Sequence, residues 1–428
     1  MLVPLLVAFF ASLLAGMPVA FAMGIAAMAG LLWVGFLPLE IIPQTAFAGI
    51  SSFPILAIPF FILAADLMTA GGLTEVLLHL ARALVGHIRG ALGHVNGLVS
   101  VFFAGMSGSA LADAAGPGAI EMRLMREAGY EPSYAGALTA ATATIGAIIP
   151  PSIPMVIYAL SGGGVNVADL FVAGIVPGLM LGAVFMCVNH WMAVRHGYGA
   201  AAPRASLREV VRATVRALPA LGLPVIILVG IRGGVMTATE ASAVGVAYGL
   251  VYGLISRQIK VRQIPRLFLA SAITTSAVLL IVSMGSAFAW ILAYEQVPQQ
   301  LATWVASTTQ NHIAVLGLVF VVALVTGMFV DTLPAIVILA PVLAPMAARL
   351  GIDPLQLGLV FILTIMAGML TPPVAPLLFV VSAVGRLRLE RLAAAVVPLL
   401  FAELAVIWLL ILFPQLVTAL PTVFGYRG

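Results

Sequence analysis

Charge is scarce in this chain. Charged side chains make up 8% of the 428 residues, against about 25% in a soluble globular domain, so a fully solvated fold is excluded. Lysine occurs once, at Lys260, outside any G-x-x-x-x-G-K-S/T sequence, so the chain is not itself a P-loop ATPase. Cysteine also occurs once, at Cys187, which excludes an internal disulfide and any multi-cysteine metal site. That residue is expected to serve helix packing. The net charge of +4 lies in short arginine-bearing stretches rather than an extended basic patch, so no nucleic-acid partner is expected. What fills the chain instead is 63% hydrophobic residues, with a mean hydropathy of +1.19.

That balance describes an all-α polytopic membrane protein whose main solvent is the lipid bilayer. A spanning helix needs roughly 17 to 25 apolar residues. Candidate spans cover 2–17, 19–37, 53–70, 170–194, 219–231, 240–255, 269–292, 313–330 and 392–412. The N-terminus has no basic leader before its apolar run and no small-residue cleavage site, so it reads as a retained helix. Basic residues gather at 195–216, 257–266 and 386–391, which places those loops on the cytoplasmic side. Within the first cluster Arg204, Arg208, Arg212 and Arg216 stand four apart, with Val210, Val211, Val215 and Leu218 largely on another side. That pattern is an amphipathic interfacial helix. It can be a plain linker on the inner surface or a hinge coupling two halves.

Two halves are indicated by an internal repeat. Gly105-Met106 returns as Gly327-Met328, Gly129-Tyr130-Glu131-Pro132 as Gly351-Ile352-Asp353-Pro354, and Pro150-Pro151 as Pro372-Pro373. Gly105 to Gly327, Gly129 to Gly351 and Pro150 to Pro372 are each 222 residues. The expected division is a first membrane repeat over 1–195, a basic amphipathic linker helix over 196–218, and a second membrane repeat over 219–428. Parallel and inverted arrangements both satisfy the spacing; architectural precedent in transporters favours inversion.

The repeated segments are rich in glycine, proline and hydroxyls, and such backbone is tolerated at membrane depth only when protein or water covers it. In the first half, residues 103–118 offer Ser107, Gly108, Ser109 and Asp113. Unwound carbonyls there can ligate Na⁺, and the following half-helix can face an anion. The plainer reading is that small residues let helices pack closely. Asp113 weighs against it, because an intramembrane carboxylate is costly unless paired or functional. Residues 142–154, with Thr144, Gly146, Pro150 and Pro151, should break a helix and free carbonyls. The second half repeats both devices, with Gly327, Asp331 and Thr332 in one segment and Gly368, Thr371, Pro372 and Pro373 in the other. Asp66 and Glu240 read as structural, near an interface or paired with Arg232. No catalytic residue is expected. Gly105-Met106-Ser107-Gly108 matches the short G-x-S-G pattern of rhomboid-like intramembrane proteases, but the six histidines sit mostly near segment ends. Neither Asp113 nor Asp331 has the setting of an aspartyl dyad.

Taken in order, Phe53–Leu63, Met106–Ala114, Ile148–Tyr158, Thr239-Glu240-Ala241, Gly327–Asp331, Gly351–Pro354 and Leu370–Val374 resemble the large membrane subunit of tripartite ATP-independent periplasmic (TRAP) transporters, over essentially the full length. The resemblance implies inverted repeats with two re-entrant hairpins, in an elevator of scaffold and transport domain. It implies Na⁺-coupled uptake of a small organic acid across the bacterial inner membrane, with Na⁺ as coupling ion and no cofactor. It also implies two partners, a small four-helix membrane subunit and a periplasmic solute-binding protein. The small subunit is expected on a separate polypeptide, because the chain begins and ends within the large-subunit pattern. On this resemblance Na⁺ sites lie near Ser107, Ser109 and Asp113, and near Asp331 and Thr371. Two departures fall close by. Ala375-Pro376-Leu377 stands where the family usually has Gly-Leu-Asn, and Ala289 where a serine is common. The competing readings are a permease subunit driven by a separate ATPase and the intramembrane serine protease.

Overall fold

The structure is a computed structural model and describes residues 1–199 and 203–426. These residues form helices joined by short turns, with no strand among them. Eight helical segments are long and apolar enough to cross a membrane, the longest being Val167–His196 and Val261–Tyr294. Their outward faces carry large apolar side chains such as Phe268, Val321, Phe401 and Val229, as lipid contact requires.

Small residues set one extensive helix pair. Helix Ala57–Ala70 packs along Ala238–Ile255. A β carbon on Gly249 would stand 3.1 Å from the Leu67 β carbon, and one on Gly245 3.4 Å from that of Ala64. Glycines four apart let two backbones approach, which is how helices associate where lipid removes any hydrophobic drive between them. Helix Ile264–Tyr294 packs on Val19–Val34 and Ile41–Ile50, and Leu2–Leu14 packs outside Val19–Val34. At the centre lie Pro132–Ala143 and Pro354–Met369. Residues 133–143 of the first and 355–369 of the second are all buried. A helix apolar all round is a core helix.

These two core helices are repeat equivalents and begin the same way. Glu131 accepts from the backbone N–H groups of Ser133 and Tyr134, and Asp353 from those of Leu355 and Gln356, each followed by proline in the first turn. An acidic N-cap and a proline at the first position suit the free donors of a helix start.

Three expectations need correction. The basic stretch is not a separate surface helix, because Leu207–Arg232 runs unbroken through Pro219 and Pro224 from a Ser206–Glu209 capping box. Its charged start and the expected span 219–231 are one element, and Arg204 precedes it. Cys187 is exposed rather than packed. The buried stripe of Val167–His196 runs through Leu181, Phe185 and Asn189, and two residues from Phe185 is the far side of a helix. Arg232 pairs with Asp169 and donates to the Phe424 carbonyl, not with Asp66 or Glu240. Asp66 accepts from Ser271, and Glu240 closes a capping box on Thr237.

Candidate functional site

Two helix starts, one from each half, line a single cavity of about 450 Å³. Helix Ala91–Ser107 ends at Gly108, whose φ of +60° is the left-handed turn that glycine adopts freely. Ser109 then caps the short helix Ala110–Ala115, accepting from the Ala112 N–H at 3.4 Å. In the second half, helix His312–Phe329 ends, and Asp331 caps Thr332–Arg349 by accepting from the Thr332 N–H at 2.6 Å. Ser109 and Asp331 are 222 residues apart, so the repeat equivalence places two caps of different charge in one space.

The proline breaks hold these caps in place. Ile153 N–H donates to the Gly108 carbonyl at 3.2 Å, and its equivalent Ala375 N–H donates to the Met328 carbonyl at 3.0 Å. Pro150–Pro151 and Pro372–Pro373 are both cis. In each half an N–H from the proline break therefore satisfies a carbonyl at the end of the preceding helix. The first break is buried, whereas Pro372, Pro373 and Val374 are exposed.

Besides the two caps, the cavity is lined by Gly108, Ile153, Pro154, Thr274, Thr332, Met366 and Met369, among others. Asp331 is the one charged side chain among the described lining residues. Thr332 donates its hydroxyl to the Met369 sulfur at 2.9 Å. Ser107 and Asp113 lie behind this wall rather than in it. The Ser107 hydroxyl and both Asp113 carboxylate oxygens are buried without a hydrogen-bond partner. A β carbon on Gly146 would stand 3.2 Å from the Ser109 carbonyl oxygen and 3.5 Å from the Asp113 β carbon, so Gly146 is the floor against which this segment rests. Thr144, in the 3-10 turn Thr144–Ala147, donates to the Ala141 carbonyl at 2.7 Å.

Other candidates are set apart from the cavity. Thr371 bonds its own helix, donating its hydroxyl to the Ala367 carbonyl at 2.8 Å. Gly327 and Gly368 meet backbone to backbone: a β carbon on Gly368 would lie 2.7 Å from the Gly327 α carbon. Their place is a helix crossing that supports the Asp331 cap. Of the family departures, Ala375 adopts φ +52°, and Ala289 lines a different cavity of about 530 Å³ that also holds Ser286, Trp290 and Ser161.

Sequence reasoning passed over two buried acids. Glu121 accepts from the Asn96 side chain at 2.7 Å, and Asn96 is joined in turn to Thr139 and Thr142 at 3.2 and 2.6 Å. Glu403 is fully buried with neither carboxylate oxygen partnered. Its signal was available: the one acid within the apolar run 392–412.

The family profile described as "Tripartite ATP-independent periplasmic transporter, DctM component" matches residues 6–416. The chain is 40% identical over 416 residues to the sialic acid TRAP transporter large permease protein SiaM of Vibrio cholerae, covering 97% of each. It is 35% identical to the 2,3-diketo-L-gulonate TRAP transporter large permease protein YiaN of Escherichia coli, over 94% of each chain. Identity to the C4-dicarboxylate TRAP transporter large permease protein DctM of Rhodobacter capsulatus is 32%, over 97% of each. Among solved structures, the YdaH transporter of Alcanivorax borkumensis superposes with a TM-score of 0.67 at 17% identity, over 87% of this chain and 88% of that one, which is a likeness of fold. This chain therefore belongs to the DctM-component family, the large permease subunits of tripartite ATP-independent periplasmic transporters, and is a multi-pass membrane protein.

Proposed function

We propose that this chain is the Na⁺-coupled large permease of a bacterial inner-membrane importer for a small organic acid. The observation that carries the reading is the convergence of the Ser109 and Asp331 caps on one cavity. The N-terminus of helix Thr332–Arg349 offers donors and a positive dipole end to an anion. Asp331 on its own repels that anion, and Na⁺ bound beside it removes the repulsion. Solute occupancy then depends on the ion, and coupling follows from differential affinity. Sialic acid, diketogulonate and C4-dicarboxylate, named for the relatives, share the acid group this arrangement would take.

One Na⁺ would be held near Ser107, Ser109 and Asp113; the orphaned buried oxygens of Ser107 and Asp113 are hard donors of the kind Na⁺ needs. A second would sit near Asp331 and Thr371, the latter just past the end of helix Pro354–Met369. The two halves act as inverted repeats with a re-entrant hairpin in each, the second entered through helix Leu207–Arg232, and the hairpins move with a transport domain against a scaffold. The solute arrives from a periplasmic binding protein, and a four-helix membrane subunit completes the permease. The protease alternative is disfavoured, since the Ser107 hydroxyl has no hydrogen-bond partner and hence no histidine base. An ATPase-driven permease would have no use for an ion-conditional cavity.

The test is uptake of labelled carboxylates into proteoliposomes containing the chain, its small subunit and its binding protein, with and without an inward Na⁺ gradient. The expected result is uptake that requires both the gradient and the binding protein and is lost in Asp331→Asn. Uptake that ignores Na⁺ and needs ATP would refute the coupling.

A further inference from the structure

The most strongly charged feature of the molecule lies away from the cavity just described, in a groove of about 560 Å³ between helices Leu73–Val85 and Leu207–Arg232. Its walls carry Arg82 and His79 from one helix and Arg212 and Arg216 from the other, with Arg204 at the mouth. The spacings are helical: His79 and Arg82 are three apart, Arg212 and Arg216 four, so each set projects from one face toward the other helix.

Four guanidinium groups in one groove repel each other unless an anion joins them. Among the described residues, none of the four has a carboxylate within ion-pair distance; the arginine pairs are Arg123–Glu127 and Arg232–Asp169. The one acid in the groove wall, Glu209, is taken up mainly by the helix cap and offsets only part of the Arg212 charge. Its carboxylate accepts from both the backbone N–H and the hydroxyl of Ser206, at 2.7 and 2.9 Å, to cap the helix. The planar fork of arginine matches phosphate oxygens in pairs, so the complement to this groove is a phosphate ester.

The adjoining helix face identifies its source. Leu207, Val211, Val215 and Leu218 follow one another along that face, and each is more than half exposed, at 79, 52, 58 and 56%. Beyond them the same helix continues as an apolar span to Arg232. The groove therefore sits where charged and apolar surface meet, at the bilayer surface on the arginine-rich side. A free phosphate would use the arginines alone. A phospholipid uses both surfaces, head in the groove and chains along the valines. We propose that this groove binds the headgroup of an anionic phospholipid, holding helices Leu73–Val85 and Leu207–Arg232 together through the lipid phosphate. Basic pockets between helices at a membrane surface have the right depth and sign for such headgroups.

The experiment is native mass spectrometry of the delipidated full chain in mild detergent, titrated with phosphatidylglycerol or phosphatidylcholine. Phosphatidylglycerol should bind in preference. Arg212→Gln should weaken it about fivefold, and Arg212→Gln/Arg216→Gln by the product of two such steps. Arg212→Lys, which keeps the charge but not the fork, should bind between the parent and Arg212→Gln, and Arg257→Gln/Arg262→Gln, outside the groove, should keep all of the binding. The single Arg212→Gln variant gives the reading should the double variant melt early without lipid. Equal binding of the two lipids, or undiminished phosphatidylglycerol binding by the groove variants, would overturn the proposal. Displacement of the lipid by inorganic phosphate at matched concentration would also overturn it, as a site for a soluble anion.

Discussion

A methyl group added at Gly368 meets only backbone. Its β carbon would lie 2.5 Å from the Leu324 carbonyl oxygen, 2.7 Å from the Gly327 α carbon and 2.9 Å from the Gly327 carbonyl carbon. At Gly327 the distances are 2.4 Å to the Ile365 carbonyl oxygen and 3.0 Å to the Gly368 α carbon. Favourable contact begins at roughly 3.5 Å between carbons, so helices His312–Phe329 and Pro354–Met369 must part for either change. Overpacking of this kind costs about 1–3 kcal/mol, less the ~0.5–1 kcal/mol that alanine gains over glycine inside a helix. With both β carbons under 3 Å from rigid backbone, the upper part of that range applies, and Gly368→Ala and Gly327→Ala should each destabilise by up to about 2.5 kcal/mol. Gly317, on the same helix as Gly327, is the control. Nothing lies nearer its β position than the Trp408 ring at 3.8 Å, so Gly317→Ala should stabilise by ~0.5–1 kcal/mol. The same substitution on one helix then has opposite signs. Because Gly327 and Gly368 share one contact, their double variant should cost less than the two single changes added, since helices already parted have room for the second methyl. Thermal melting of the purified protein in detergent reads all four. Gly368→Ala melting at or above the parent protein would refute the close-approach argument, and strict additivity would refute the shared contact.

Ser271→Ala removes the hydroxyl that donates to Asp66 and should lower stability by about 1–3 kcal/mol, with Ser271→Thr recovering most of it; a parental melting temperature for the alanine variant would count against that bond. Arg232→Ala releases Asp169 and the Phe424 carbonyl together, so amide exchange in helix Gln415–Val423 should quicken while that of Pro354–Met369 does not. Asp331→Asn keeps an N-capping oxygen and should melt within a few tenths of a kcal/mol of the parent while losing uptake, whereas Asp331→Ala should lose about 1 kcal/mol as well. Equal loss of stability in both Asp331 variants would show that the charge, not the cap, holds the helix start.

What could be read in the sequence was mostly backbone. The recurrence of Gly-Met, Gly-x-acid-Pro and Pro-Pro at one spacing marks positions where a helix must stop, start or turn, and those demands are local. Hence the breaks fall at Pro150 and Pro372, as expected from residues alone, and the other landmark pair proves to be where the core helices begin, after Glu131 and Asp353. Contacts between distant elements were not local and did not show. Nothing in the neighbourhood of Arg232 announces Asp169, 63 positions earlier, as its partner. Leu207–Arg232 was divided in two because a change from arginine to apolar residues looks like a boundary. One helix crossing from headgroups into hydrocarbon has the same pattern. Glu403 was hidden by its surroundings, since an apolar run is normally read as a whole and one acid within it is averaged away.

The two halves share a backbone device and differ in how firmly it is held. The first break, around Pro150 and Pro151, is buried, with Ser152 fully enclosed and bonded to the Ala147 carbonyl. The second leaves Pro372, Pro373 and Val374 exposed and ends in Ala375, whose φ of +52° lies in the left-handed region. An L-residue there costs roughly 1–2 kcal/mol that glycine would not. Glycine is the residue the family resemblance leads one to expect at that position. Reshaping the segment around Pro372 thus gives up few buried contacts and relieves a strained residue, while reshaping the one around Pro150 gives up many and relieves none. Low local stability is where functional motion is drawn from. Amide exchange in the residues flanking Pro372 and Pro373 should therefore outpace that flanking Pro150 and Pro151, and the reverse order would refute the argument.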